Sequence, residues 1–285
     1  MRHAIRPTRP RVSVVIPTIN EARNLEVLLP DMPEVHEVVI VDAGSTDDTI
    51  EVAQRLMPNV RVVQQTRKGK GNALVCGMRA ATGDIIVTLD ADGSADPCEI
   101  EFFVDALVAG ADFAKGSRHM EGGGSDDLTL LRSLGNRGLN LVSNLRLGAK
   151  FTDLCYGYNA FWTDVLPALD LPDTQLPTPA HGGKVWGDGF EIETLVTVRV
   201  AQAGLAVTEV PSFELDRIFG ESNLRTFYDG QRVLRTIAKE TWTRGRGRKG
   251  PDLVQAAPRH DHLATCKLRT RQRALETVDS SAPAA

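Results

Sequence analysis

Apolar positions in the first 117 residues come in short unbroken runs, separated by longer stretches with helical spacing. VSVVIP (12–17) is β-branched and apolar throughout, as expected of a strand covered on both faces. EVVIVDA (37–43), VRVVQQ (60–65) and DIIVTLD (84–90) also have β-branched cores, and ADFAKGS (111–117) is expected to be a fifth strand. Between them the spacing predicts helices over 20–29, stopped by Pro30, and from GSTDDT through Leu56, ended by Pro58. A third covers GNALVCGMRAA (71–81), closed by Gly83. A fourth starts at Asp96, with Pro97 at the first helical position and Glu99 as capping-box partner, and runs to Ala109. This alternation predicts an α/β fold: a mostly parallel central sheet with helices on both faces.

The pattern then changes. EGGGSDD (121–127) predicts an irregular loop, and 128–149 a leucine-rich helix whose only charges are Arg132, Arg137 and Arg146. Prolines and glycines over 167–185 predict a second loop. A helix over 190–203, a strand at VTEVP (207–211) and a helix over 222–243 follow. That last helix carries Leu224, Phe227, Leu234, Ile237 and Trp242 beside Arg225, Arg232, Arg235 and Lys239. Helices with basic polar faces can lie in the interface of an anionic bilayer; the alternative is that their apolar faces pack on the sheet. Periodicity stops after Arg244, so 245–285 is expected to be a disordered tail.

Composition narrows the class. Of 285 residues 42% are apolar and 25% charged, which excludes a fibre, a wholly disordered chain and a polytopic membrane protein. The net charge of −4 argues against a nucleic-acid partner. It is unevenly spread: +4 in residues 1–11, +7 in 244–273 and −2 in the last twelve, which leaves −13 for the body. The basic ends read either as solvated tails or as tethers to an anionic surface. Cys76, Cys98, Cys155 and Cys266 form no CxxC pair, as in a reduced cytoplasmic chain. No signal peptide and no apolar run of about 20 residues is present, so any membrane contact is expected to be peripheral, at the cytoplasmic face.

In parallel α/β sheets ligands bind beyond the carboxyl ends of the strands. Here those ends read PTINE (17–21), DAGSTDDT (42–49) and DAD (90–92). Two carboxylates directly after a buried strand can share a divalent cation with a diphosphate, because Mg²⁺ and Mn²⁺ take hard oxygen ligands.

VSVVIPTINEARNL, VVIVDAGSTDDT, KGKGNALVCGMRAATGD and DADGSADP, in that order and spacing, resemble the N-terminal half of the family 2 inverting glycosyltransferases. GSR (116–118), DLCYGYNAF (153–161) and residues 189–223 extend the likeness to the dolichol- and polyprenyl-phosphate mannose synthases. The resemblance implies the A-type glycosyltransferase fold, with one catalytic domain over 12–244 between the two basic tails. Residues 12–118 would form a Rossmann-like nucleotide-sugar and metal half, and 119–244 an acceptor half.

By the same resemblance Pro17, Glu21, Gly44, Ser45, Lys70, Gly71, Asp90, Ala91, Arg118 and Ser222 would bind a GDP- or UDP-linked sugar, with Asp42 holding the base. Asp90 and Asp92 would bind Mg²⁺ or Mn²⁺, and Asp92 and Arg217 would act on the leaving diphosphate. The favoured acceptor is a polyprenyl phosphate, whose charge requires no general base. The alternative is a soluble hydroxyl acceptor, a natural-product or saccharide precursor. A hydroxyl needs a base, for which Asp153, Asp188 and Glu191 are the candidates. One departure concerns the acceptor: the synthases read GESK where this chain has GESN, and Asn223 cannot neutralise a phosphate.

Overall fold

The computed structural model describes residues 5–126, 130–180, 183–221 and 226–243. Strands β1 (Val12–Thr18), β2 (Glu37–Asp42), β3 (Arg61–Gln64), β4 (Ile85–Thr88) and β5 (Phe113–Ser117) alternate with helices α1 (Ala22–Leu28), α2 (Thr49–Leu56), α3 (Lys70–Ala80) and α4 (Ile100–Val108). All nine fall on the expected segments. Beyond them lie β6 (Gly124–Ser125), α5 (Leu130–Leu147), β7 (Asn159–Trp162), α6 (Leu166–Leu169), α7 (Ile192–Ala203), β8 (Val207–Pro211), β9 (Phe213–Glu214) and α8 (Thr226–Thr243).

Seven strands form one sheet in the order β3-β2-β1-β4-β7-β5-β8. β3, β2, β1 and β4 are mutually parallel, as are β5 and β8. The core is built where helices cover both faces of β1, β2 and β4, so Val14, Val15, Ile16, Ile40, Val41 and Ile86 are all fully buried. Gly77 lets α3 close onto this sheet, since a Cβ there would strike the Val15 and Val41 side chains. α7 is buried at every position from Ile192 to Ala201, which explains its lack of a polar face.

Three features differ from the sequence reading. The first is β7, which no periodicity announced because NAFW is only four residues long and buried on both faces. It runs antiparallel between β4 and β5, pairing Thr88 and Lys115 with Asn159. Its reversed direction delivers the preceding segment, 153–158, to the edge where β4 and β5 end. The second lies in the 121–127 loop, which contains β6, paired in parallel with β9. Gly124 makes this pairing feasible, because the Phe213 ring occupies the space a side chain would need. The third is α6, a single turn that begins at Leu166 and runs into the proline-rich 167–185 segment.

Part of the basic N-terminal segment is docked. Arg6 donates to Asp112 (2.6 Å) and Asp164 (2.9 Å) and lies over the Trp162 ring, and Arg11 pairs with Asp84 (3.2 Å). The expected tail over 245–285 lies outside the described residues.

Candidate active site

A cleft of about 1000 Å³ opens along the carboxyl ends of β1, β2, β3 and β4. Its floor is the DAD turn. Leu89 still belongs to the ladder, donating its N–H to the Val15 carbonyl, and the chain then leaves the sheet as Asp90–Ala91–Asp92. Gly93, at φ +75°, turns it back, and Ile218 packs where a Gly93 Cβ would sit. The Ser94 N–H and hydroxyl donate to Asp92 (3.1 and 2.7 Å) and fix that carboxylate.

Asp90 faces Lys70, whose Nζ bridges it (2.8 Å) to Glu193 (2.8 Å). Burial alone would lower the lysine pKa, but the two carboxylates outweigh it, so Lys70 stays charged. Glu193 is pushed up by burial despite its lysine partner. Asp90 and Asp92 supply two hard oxygen donors at the cleft surface. Among the described residues no cluster of three or more His, Cys, Asp or Glu suited to a metal exists. A cation held here would complete its shell with diphosphate oxygens and water, which is how Mg²⁺ is ordinarily bound.

Arg217 reaches the same point from the far end of the chain. It donates to Glu21 (3.0 Å) and lies 3.5 Å from Asp92. Its backbone neighbours fasten it: Leu215 N–H donates to the Ser94 carbonyl and Ile218 N–H to that of Asp92. Phe219 exchanges two hydrogen bonds with the buried Asn24 side chain. Burial raises the Glu21 pKa against its Asn24 and Arg217 bonds.

The acceptor-side acids behave differently. Asp153 is fully buried, accepts from Arg118 Nε (2.7 Å) and Arg118 Nη2 (3.0 Å), and also accepts from Asn136 (3.0 Å). Burial pushes its pKa up, yet the Arg118 guanidinium prevails and holds it well below the usual carboxylate range. Asp188 accepts two 2.8 Å bonds from Arg67, both side chains being at most 2% exposed. Glu191 accepts from Arg232 (3.0 and 2.5 Å) and from the Gly187 and Gly189 N–H groups; burial raises its pKa, but Arg232 brings it below normal. None of the three lines the cleft. All three candidate bases are thus anchors for arginines, with their lone pairs committed.

The structure therefore brings Pro17, Glu21, Gly44, Lys70, Asp90, Ala91, Asp92, Arg118 and Arg217 together around one cleft. Asp42, Ser45 and Gly71 stand behind it. Asp42 caps its own turn, accepting from Gly44 N–H, Ser45 N–H, Ser45 hydroxyl and Gln64, and these bonds hold its pKa down although burial opposes them. Gly71 N–H donates to the Asp188 carbonyl (2.9 Å). Ser222 and Asn223 lie outside the described residues. Sequence reasoning missed Glu193, Asn24 and Glu214, the last of which holds Arg118 from its other side (2.9 Å). The signal available for Glu193 was FEIE: residues two apart at a helix start do not face the same way, so the two glutamates could not share one environment.

A mostly parallel sheet with a carboxylate pair beyond its central strand, and Arg217 beside that pair, is the architecture of the A-type glycosyltransferase fold. Residues 13–169 match glycosyl transferase family 2, and the chain belongs to that family. It is 33% identical to the polyprenol monophosphomannose synthase of Mycolicibacterium smegmatis, over 77% of this chain and 83% of that protein. It is 32% identical to the undecaprenyl-phosphate mannosyltransferase of Micrococcus luteus, over 79% of this chain and 91% of that one. The dolichol-phosphate mannosyltransferase of Pyrococcus furiosus is also 32% identical, but only 59% of its length is spanned. In fold the chain resembles glucosyl-3-phosphoglycerate synthase from Mycobacterium tuberculosis, a structure holding Mn²⁺, UDP and glucosyl-3-phosphoglycerate. That likeness has a TM-score of 0.60 at 21% identity, over 82% of this chain and 80% of that one. No helix among the described residues is long and apolar enough to cross a membrane.

Proposed function

We propose that this glycosyltransferase moves a sugar from a GDP- or UDP-linked donor to a polyprenyl phosphate at a membrane face, with inversion at the anomeric carbon. The observation that carries this reading is the two-sided use of α5. Its inner side supplies Gly135, Asn136 and Leu139 to the cleft. Its outer side exposes Leu134 (65%), Leu141 (61%) and Leu145 (77%), which fall within about 40° of one another at 3.6 residues per turn. A leucine stripe opposite a helix's buried face is out of place in water and at home in an acyl layer. Arg137 and Arg146 are exposed on the same helix, and Leu234 and Trp242 of α8 add further exposed apolar surface. An acceptor with a phosphate head and an isoprenoid tail fits both sides at once. The names of the relatives, which refer to polyprenol, undecaprenyl phosphate and dolichol phosphate, support the same class and make mannose the first sugar to try.

In this reading Asp90 and Asp92 hold Mg²⁺ or Mn²⁺, which when bound supplies Lewis-acid neutralisation of the leaving diphosphate. Arg217, 3.5 Å from Asp92, is placed to share that charge. Lys70 orients Asp90 and remains cationic at the cleft wall. The incoming phosphate is already anionic, so the commitment of Asp153, Asp188 and Glu191 to arginines does not impede it. One observation favours the second reading, a soluble hydroxyl acceptor: Asp216 is an exposed carboxylate on the cleft wall beside Arg217 and could take a proton. Purified protein incubated with GDP- and UDP-sugars, Mn²⁺ and polyprenyl phosphate in vesicles should release nucleoside diphosphate only when the lipid is present. Release with soluble alcohols alone would overturn the lipid reading.

A further inference from the structure

We propose that Glu193 accepts hydrogen bonds from hydroxyl groups of the donor's sugar and so selects which sugar is transferred. The inference rests on the nucleotide-sugar reading above and deepens it.

A nucleotide-sugar carries its base and its sugar at opposite ends of the diphosphate. With the diphosphate at Asp90 and Asp92, one direction leads along the ends of β1 and β2, where Pro17, Ile19, Ala43 and Gly44 line the cleft. The other leads to the wall built after residue 118, where Gly157, Phe190, Glu193 and Thr194 line it. The sugar belongs at this second end, because its anomeric carbon is the atom that the acceptor attacks.

Glu193 differs from the other acids of that wall. Asp153, Asp188 and Glu191 are at most 1% exposed, and each is held by an arginine through two hydrogen bonds. Glu193 lines the cleft and keeps 8% exposure. Among the described residues Lys70 Nζ, 2.8 Å from Oε1, is the only side-chain donor to its carboxylate. A carboxylate has about four lone-pair sites, so acceptor capacity is left for a ligand.

The same lysine fixes where that capacity lies. Lys70 also contacts Asp90 at 2.8 Å, so a single ammonium group separates Glu193 from the carboxylate beside the diphosphate. Gly157 keeps the space over this trio clear. A Cβ there would stand 3.2 Å from Glu193 Oε1, 3.4 Å from Lys70 Nζ and 3.6 Å from Asp90 Oδ2. Thr88 and Asn159 donate to the Gly157 carbonyl and hold the backbone in that place. Phe190, with its ring 5.8 Å from Lys70 Nζ, adds apolar surface for the C–H face of a pyranose.

Sugar hydroxyls are donors, and a hydroxyl donating to a carboxylate makes the stronger, charge-assisted kind of hydrogen bond. A site built on such bonds rejects a sugar whose hydroxyl is missing or turned away, because its own polar group is then left unpaired.

Calorimetry on the full chain with GDP, GDP-mannose, UDP and UDP-glucose, each with Mn²⁺, tests the assignment. Glu193→Gln should weaken whichever nucleotide-sugar the wild type binds by about tenfold, the loss of a hydrogen bond to a charged group. The matching nucleoside diphosphate should bind as before. Gly157→Ala, which sets a methyl group in the sugar's space, should show the same split. Unchanged nucleotide-sugar affinity in Glu193→Gln overturns the role of Glu193. An equal loss for the nucleoside diphosphate also overturns it, since Glu193 would then act only through Lys70 and Asp90. Failure of the wild type to bind any of the four overturns the donor reading itself.

Discussion

The two sides of the cleft treat their carboxylates in opposite ways. On the side built from β1 to β4, Asp90 and Asp92 come directly off a strand end and face the cleft, with Lys70 and Arg217 at their edges. On the side built from residues after 118, Asp153, Asp188 and Glu191 are sunk behind the wall and clamped by Arg118, Arg67 and Arg232. Acids of the first kind can be exchanged between a resident cation and an arriving one. Those of the second kind cannot move without breaking an ion pair with an arginine behind the wall. One wall therefore presents its carboxylates to the cleft and the other commits these three to the scaffold, although both are rich in Asp and Glu.

Substitutions should separate the two walls. The largest effect is expected for Asp92→Asn, which should lower turnover on the order of 10²-fold or more while thermal unfolding barely shifts. A large loss of stability in this variant would erase the distinction. Arg67→Met should do the converse, destabilising the fold by about 3–5 kcal/mol because the Asp188 charge is left buried and alone. Chemical denaturation reads this directly, and a change below 1 kcal/mol would count against a scaffold role.

The third expectation concerns the outer side of α5. Leu134→Ser, Leu141→Ser and Leu145→Ser together should lower partition into anionic vesicles about tenfold or more. Unfolding and nucleotide binding should be unaffected, and unchanged flotation with vesicles would leave the leucine stripe without that role.

Acid should act on the scaffold wall. Arg118 holds the folded Asp153 pKa below its unfolded value of about 3.9. The pair's contribution is therefore complete above roughly pH 4 and is lost as the pH falls below it. Melting temperatures across that range should drop in the wild type and show a shallower dependence in Asp153→Asn. The smallest expected effect is on Arg6, outside both walls. Arg6→Ala should cost about 1 kcal/mol, because its two ion pairs are partly exposed.

The same contrast explains what could be read from the chain. β1 to β4 and their helices were legible because each strand is a short run rich in β-branched residues bounded by local stop signals, β5 because it closes the alternation, and the DAD turn follows its strand directly. The metal expectation drew on that adjacency, whereas the nucleotide-sugar expectation came from the resemblance to the family 2 glycosyltransferases. The partners of the scaffold acids were not legible, since Asp153, Asp188 and Glu191 meet arginines 35, 121 and 41 residues away. From sequence alone such acids look like candidate bases; only the fold shows their lone pairs already committed. β7 was missed for a related reason, being too short to show a period and placed by its neighbours. Asp42, expected to hold the base, accepts its hydrogen bonds from its own turn and from Gln64, which the sequence did not show.

The fastening of the DAD turn also sets an order in time. The Ser94 and Asp92 backbone carbonyls accept hydrogen bonds from Leu215 and Ile218. On a ribosome moving at about 5–20 residues per second, those donors emerge roughly 6–25 s after the turn itself. The early βαβ units can collapse from neighbouring strands during that interval, but the turn's backbone remains without that brace. A nascent or prematurely ended chain would thus carry the motif without its working geometry, so the cell makes the recognisable part of this enzyme well before it makes the enzyme.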